Sequence, residues 1–230
     1  MTIAVKKRSK KAGLSPGALI HIGRDYEDSS GIRLMRYDEA TLEEKEIFSP
    51  TELAAEKKKP GVLWVHVDGL KDIRRLENIG RVFGLHPLIL EDILSTDQRP
   101  KAEDFTDYIF IVLKNIQPDA GPALHAEQIS ILLGQNFVLS FQEKAGTLFD
   151  PIRERIRADK GRIRKAGADY LAHHLMDAVV DQYFAVLEDI DDKIELLEDD
   201  LVRKTTPDKL QSIHLLKREL ILLRKSLWPL

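Results

Sequence analysis

Apolar positions fall in short runs through roughly the first 145 residues and step by three and four after residue 168. The first pattern predicts strands alternating with short helices, and the second predicts long helices. Ala18 to Ile22 and Ile32 to Tyr37 read as strands around the turn-forming Asp28-Ser29-Ser30-Gly31, and Lys45 to Phe48 as a third. Ser49-Pro50-Thr51-Glu52 has capping-box spacing with proline at the first helical position, so a short helix begins there; Lys57-Lys58-Lys59-Pro60-Gly61 closes it. In VLWVHV, Val62, Trp64 and His66 share one face and Leu63, Val65 and Val67 the other. Both faces look covered, so His66 reads as a packed core histidine. Asp72 to Phe83 follows as a helix with Ile73, Leu76, Ile79 and Val82 or Phe83 on its buried stripe, ended by Gly84.

The stretch from Leu85 to Lys114 organises the rest. Pro87 suits a first helical turn, and Leu88, Ile89, Leu90, Ile93 and Leu94 give that short helix more apolar surface than a solvated one carries. Glu91 and Asp92 therefore sit side by side on a mostly buried element. Such a pair is either a structural feature answering Lys101 or Arg99, or a site that prefers a bound cation. A turn at Arg99-Pro100 leads to the apolar strand Tyr108 to Leu113, and Asn115 to Leu124 reads as a connection bearing Pro and Gly. Gln128 to Leu133 and Phe137 to Phe141 flank Gly134-Gln135-Asn136 as a hairpin. The fold class predicted is α/β, a mixed sheet covered by helices on both sides and followed by a long antiparallel helical hairpin.

Asp150-Pro151 starts a helix through Ala158. From Ala168, His173, Met176, Val180, Tyr183, Leu187, Ile190, Ile194, Leu197 and Leu201 form an unbroken seam. Thr205-Thr206-Pro207-Asp208 breaks it, and Leu210, Ile213, Leu216, Leu220, Leu223 and Leu227 step along the return helix. The organisation expected is a flexible basic tail over residues 1–12, an α/β domain over 13–165 and the hairpin over 166–230.

Composition narrows the classes. At 230 residues with 43% hydrophobic and 32% charged content, the chain has the makings of a sizeable core, and its net charge of −3 implies no partner. Without cysteine there is no disulfide framework, thiolate metal site or cysteine nucleophile. No run approaches the ~20 apolar residues of a membrane helix, and the amino terminus lacks the apolar stretch of a signal peptide. Arg153, Arg155, Arg157, Arg162, Arg164 and Lys165 make a basic patch, but no aromatic residue interleaves it, so an ion-paired face is expected rather than a nucleic-acid surface. Between Glu188 and Asp200 eight of thirteen residues are acidic and only Lys193 opposes them. That face is either solvated and partly neutralised by the return helix, or a surface that concentrates divalent cations by its field.

Several segments together resemble one family. LHPL-x-LEDIL from Leu85, QRPK-x-E (98 to 103), Y-x-FIVLK (108 to 114), FQEK (141 to 144), FDPIRERIR (149 to 157), MDAVVDQYF (176 to 184) and LKREL-x-LLRKSLWPL (216 to 230) resemble, in order, the cytoplasmic region of CorA-type magnesium and cobalt transporters. The resemblance implies a regulatory domain, not an enzyme, that binds hydrated Mg2+, with Co2+ also possible, at contacts between subunits of a homopentamer. The positions matching the family's acidic ligands are Asp92, Glu91 and Asp177. It further implies an inner-membrane protein whose two membrane helices follow Leu230, with this region on the cytoplasmic side, and no nucleic-acid partner.

Two rivals come from other classes. His173 and Asp177 stand four apart on one helix, with His174 beside them, a spacing that would suit a metal-dependent hydrolase. No second ligand cluster, nucleophile or phosphate loop accompanies them, and His173 falls on the apolar seam. The seam could also serve a stand-alone adaptor that binds a partner helix.

Overall fold

The computed structural model describes residues 19–24, 26, 31–47, 49–118, 123–203 and 207–229. The basic tail, Ala18, the turn residues Asp28 to Ser30, Phe48 and the Thr205-Thr206 break lie outside them. The elements are β1 (Gly31–Tyr37), β2 (Leu42–Glu46), α1 (Pro50–Lys57), β3 (Val62–Asp68), α2 (Ile73–Phe83), α3 (Pro87–Leu94), β4 (Lys101–Asp104), β5 (Tyr108–Pro118), β6 (Leu124–Gly134), β7 (Phe137–Gln142), α4 (Asp150–Arg157), α5 (Ala168–Arg203) and α6 (Pro207–Leu227). The strands make one seven-stranded sheet in the order β2-β1-β3-β7-β6-β5-β4. β3 and β7 run parallel, with Leu63 opposite Phe137, and every other pairing is antiparallel.

The alternation in β3 sorts the core as expected. Leu63, Val65 and Val67 pack with Leu53 of α1, Leu76, Ile79 and Phe83 of α2, and Ile89, Leu90, Ile93 and Leu94 of α3. Trp64 points the other way, into a second core with Phe149, Ile152 and Ile156 around α4 and Leu171, Leu175, Val179 and Tyr183 of α5. The sheet is thus mixed and covered on both sides. His66 is buried between Ser140 and Asp68, its Nδ1 2.7 Å from Ser140 Oγ and its Nε2 3.0 Å from Asp68 Oδ1. Ser140 Oγ accepts from Trp64 Nε1 at 2.9 Å. The Asp68 carboxylate only accepts, so His66 Nε2–H donates to it, and in the neutral ring Nδ1 accepts the Ser140 proton.

Four sequence readings change. Ala18 to Ile22 is not a strand where it is described: Ile22 makes one parallel bridge to Ser95, its N–H donating to Leu94 at 2.9 Å. The third strand is β2, beginning three residues before Lys45, and β4 was not anticipated at all. LEEKE and KAED are edge strands whose mostly charged, half-buried to exposed side chains leave no apolar alternation to read. Asn115 to Pro118 continues β5, because its polar side chains face polar partners across the ladder, Asn115 opposite Glu127 and Gln117 opposite His125.

The helical seams also rotate. In α5 the buried stripe is Leu171, Ala172, Leu175, Val179, Tyr183, Val186 and Ile190, while His173 and Leu187 face solvent. The first half of α5 packs on the sheet, which selects a stripe facing β5 rather than a partner helix; Tyr183 Oη donates to the Lys114 carbonyl at 2.5 Å. On α6, Leu216 and Leu223 are buried, whereas Leu210, Ile213 and Leu220 remain exposed. The basic patch resolves into contacts: Arg157 binds Glu44 through two bonds of 2.8 and 2.6 Å, and buried Arg153 pairs with Asp150 beneath the Trp64 ring.

Candidate metal sites

α3 presents Glu91 and Asp92 because its opposite face is consumed by packing. Pro87 stands in the first turn, and His86 caps it by accepting from the Leu88 N–H at 3.2 Å. Gly80 lets α2 approach: a Cβ there would lie 2.6 Å from Leu90 Cδ1. With Ile89, Leu90, Ile93 and Leu94 turned inward, the two acids are left half-buried at the outer edge.

Asp92 is held from several elements. Its Oδ1 accepts from Gln98 Nε2 at 2.8 Å and its Oδ2 from Lys101 Nζ at 2.6 Å. Lys101 also reaches Glu103 at 2.8 Å and lies over the Phe110 ring. Burial alone would lower the Lys101 ammonium, but its bonds to Asp92 and Glu103 outweigh that and raise it. The Asp92 carbonyl accepts from Gln128 Nε2 at 3.0 Å, and Gln128 Oε1 accepts from Lys114 Nζ at 3.3 Å. The carboxylate is therefore oriented by Gln98 and by Lys101 of β4, with Gln128 of β6 holding the backbone behind it, and its side chain keeps 25% exposure. The ion pair with Lys101 that the sequence offered as the structural reading is present.

Asp177 lies elsewhere. It is exposed on α5, which packs on the sheet face opposite α3. Within one chain Glu91 and Asp92 do not meet Asp177. Its neighbours are instead His173 and His174, and one ligand atom from each of the three falls within 4.8 Å of the others. The His174 ring stands edge-on to Tyr170, with centroids 4.5 Å apart. Burial first, then the charges of Arg155 and His173, pull its pKa down against Asp177. In the acidic stretch of α5, Lys193 is shared between Asp189 at 2.6 Å and buried Glu219 of α6 at 3.3 Å.

Glu56 and Glu127 are among the buried acids that escaped sequence reading. Glu56 takes Lys45 and Lys59 at 2.7 Å each and Arg36 at 3.2 Å. Glu127 is pushed up to about 7 by burial and by Glu143 beside it. No local signal marks their burial, since apart from Lys59, three residues after Glu56, their partners come from other elements.

With this geometry in hand, comparison with known proteins is decisive. A sequence model described as "CorA-like Mg2+ transporter protein" matches residues 59–230. The chain belongs to this family. It is 43% identical over 229 residues to the "Cobalt/magnesium transport protein CorA" of Thermotoga maritima, covering 98% of this chain and 64% of that protein. It is 28% identical over 174 residues to the "Putative metal ion transporter YfjQ" of Bacillus subtilis, covering 75% of this chain and 53% of that one. Among solved structures, the soluble domain of CorA from Methanocaldococcus jannaschii superposes with a TM-score of 0.67 at 16% identity, covering 86% of this chain and 75% of that one. The complete CorA from the same organism gives 0.70 at 17%, covering 86% and 59%. These structural likenesses show a shared fold. The chain spans less than two thirds of the length of these curated relatives. Among the described residues no helix is long and apolar enough to cross a membrane. A CorA-like family is one of transporters and not of enzymes, which removes the hydrolase reading of His173 and Asp177.

Proposed function

We propose that this chain is the ion-sensing, cytoplasmic region of an inner-membrane divalent-cation transporter. Glu91 and Asp92 of one copy and Asp177 of the next hold hydrated Mg2+, or Co2+, where copies meet in a homo-oligomer, the pentamer expected for such transporters. The observation that carries this reading is the separation just described: α3 and α5 lie on opposite faces of the sheet, so these carboxylates do not share an ion within one chain, which leaves a contact between chains. The cargo follows from the Thermotoga relative, which is named for cobalt and magnesium.

Magnesium keeps most of its water and takes one or two carboxylates. Lys101 already neutralises part of the Asp92 charge, so such a site is weak and its occupancy follows concentration. Bound ions bridge neighbouring copies and hold the pore shut. When they leave, the acids repel and the copies loosen. The acidic run from Glu188 raises the local cation concentration without fixed coordination.

The test is thermal unfolding of the intact transporter in detergent. Mg2+ at tenfold over its dissociation constant is expected to stabilise it by about 1.4 kcal/mol, and Asp92→Asn and Asp177→Asn are each expected to reduce that gain. The 230-residue chain, at concentrations where it is monomeric, should gain little. Protection that persists undiminished in both variants defeats the assignment.

A further inference from the structure

We propose that His173, His174 and Asp177 form a chelate for a borderline transition dication of the Zn2+ class on the outer face of α5. Three observations converge there. His173 and Asp177 are one helical turn apart on the same face, and both side chains are exposed. His174, the next residue, completes a set whose ligand atoms all lie within 4.8 Å of one another. Its Nε2 is buried without a hydrogen-bond partner among the described residues, and its ring orientation is set by the edge contact with Tyr170.

Zinc bonds of about 2.0–2.1 Å put neighbouring tetrahedral ligand atoms roughly 3.4 Å apart. The remaining gap is left to side-chain torsions of the exposed His173 and Asp177. Three protein ligands leave the fourth position to water. The donor set also selects the ion: imidazole nitrogen suits Zn2+, Ni2+ and Co2+, whereas Mg2+ takes oxygen. Arg155, whose field reaches His174, opposes any dication here and keeps the affinity moderate.

Asp177 is shared with the magnesium reading, but the chelate does not rest on it. If both hold, a zinc-class ion occupies a carboxylate that Mg2+ needs between copies, and the two compete.

Calorimetric titration of the 230-residue chain with Zn2+ tests the site, and Co2+ provides a visible absorption signature of nitrogen coordination. One Zn2+ per chain is expected. His173→Ala and Asp177→Asn should each weaken binding by at least the roughly tenfold that even outer-shell partners cost, while their metal-free melting points stay unchanged. Asp92→Asn should leave zinc binding intact, which separates this site from the magnesium one. Absent binding, or binding indifferent to both His173→Ala and Asp177→Asn, overturns the proposal.

Discussion

Replacing Glu56 by alanine is expected to destabilise the protein by about 3 kcal/mol at neutral pH, because it strips the carboxylate from a buried cation. Arg36 and Glu56 are both buried, and the Arg36 guanidinium also donates to the Glu56 carbonyl and, at 3.0 Å, to the carbonyls of Lys59 and Pro60. Those carbonyls remain in the variant, but the charge partner does not. Lys45 and Lys59 swing to water at little cost, whereas Arg36 has no such exit. The network ties α1 to β1 and β2, so its loss loosens the sheet edge. Exchanging both members for apolar residues of similar volume, Arg36→Met with Glu56→Leu, should cost much less than Glu56→Ala alone. Urea denaturation of the three proteins gives the comparison. Equal losses in the single and double variants would show that packing, not the stranded charge, sets the penalty.

The same group makes the protein acid-sensitive. Burial would raise the Glu56 carboxyl, but Lys45, Lys59 and Arg36 outweigh it and hold it down at about 2. Its contribution is fully present above the ordinary glutamate value of about 4.3 and is lost as pH falls through the folded value.

Glu127→Gln is expected to act in the opposite sense, stabilising the protein by up to about 3 kcal/mol at pH 8 and hardly at all at pH 4. The folded carboxyl ionises at about 7, raised by burial and by Glu143, whereas the unfolded one does so near its ordinary value. Between those values the folded chain holds a proton the unfolded chain has released, so stability declines as pH rises through this window and levels off above it. The groups facing Glu127 are Asn115 and Gln117 of β5, which donate at 3.4 and 3.2 Å, and the Lys144 N–H at 3.3 Å, with the Glu143 and Lys144 charges nearby. Asn115 Oδ1 has no partner among the described residues. Turned over, that amide accepts from a glutamine or from a protonated Glu127, but its Nδ2 then takes the unpartnered position, which offsets part of the gain. Chemical denaturation across this pH range reads the effect. A gain of the same size at both ends would rule out ionisation as its cause.

Where burial leaves a local trace, the chain could be read directly. VLWVHV announced its two faces, Asp72 and Gly84 bracketed α2, and Gly134-Gln135-Asn136 marked the β6–β7 turn. α3 does present Glu91 and Asp92 outward, as its apolar content required. Edge strands left no such trace. LEEKE and KAED pair through backbone groups that every residue possesses, and their side chains answer to solvent and to distant charges.

The order of the helices and inner strands, the mixed α/β class and family membership were therefore determined by the sequence alone, because periodicity, caps and motifs are local. Tertiary structure decided which stripe of α5 is buried, that His173 faces solvent beside Asp177, that Asp92 and Asp177 lie across the sheet from each other, and that Glu56 and Glu127 are buried. Each of these depends on what covers a residue from elsewhere in the chain. Desolvation and charge pairing act through space, so a carboxylate's environment is set by partners that sequence spacing does not reveal.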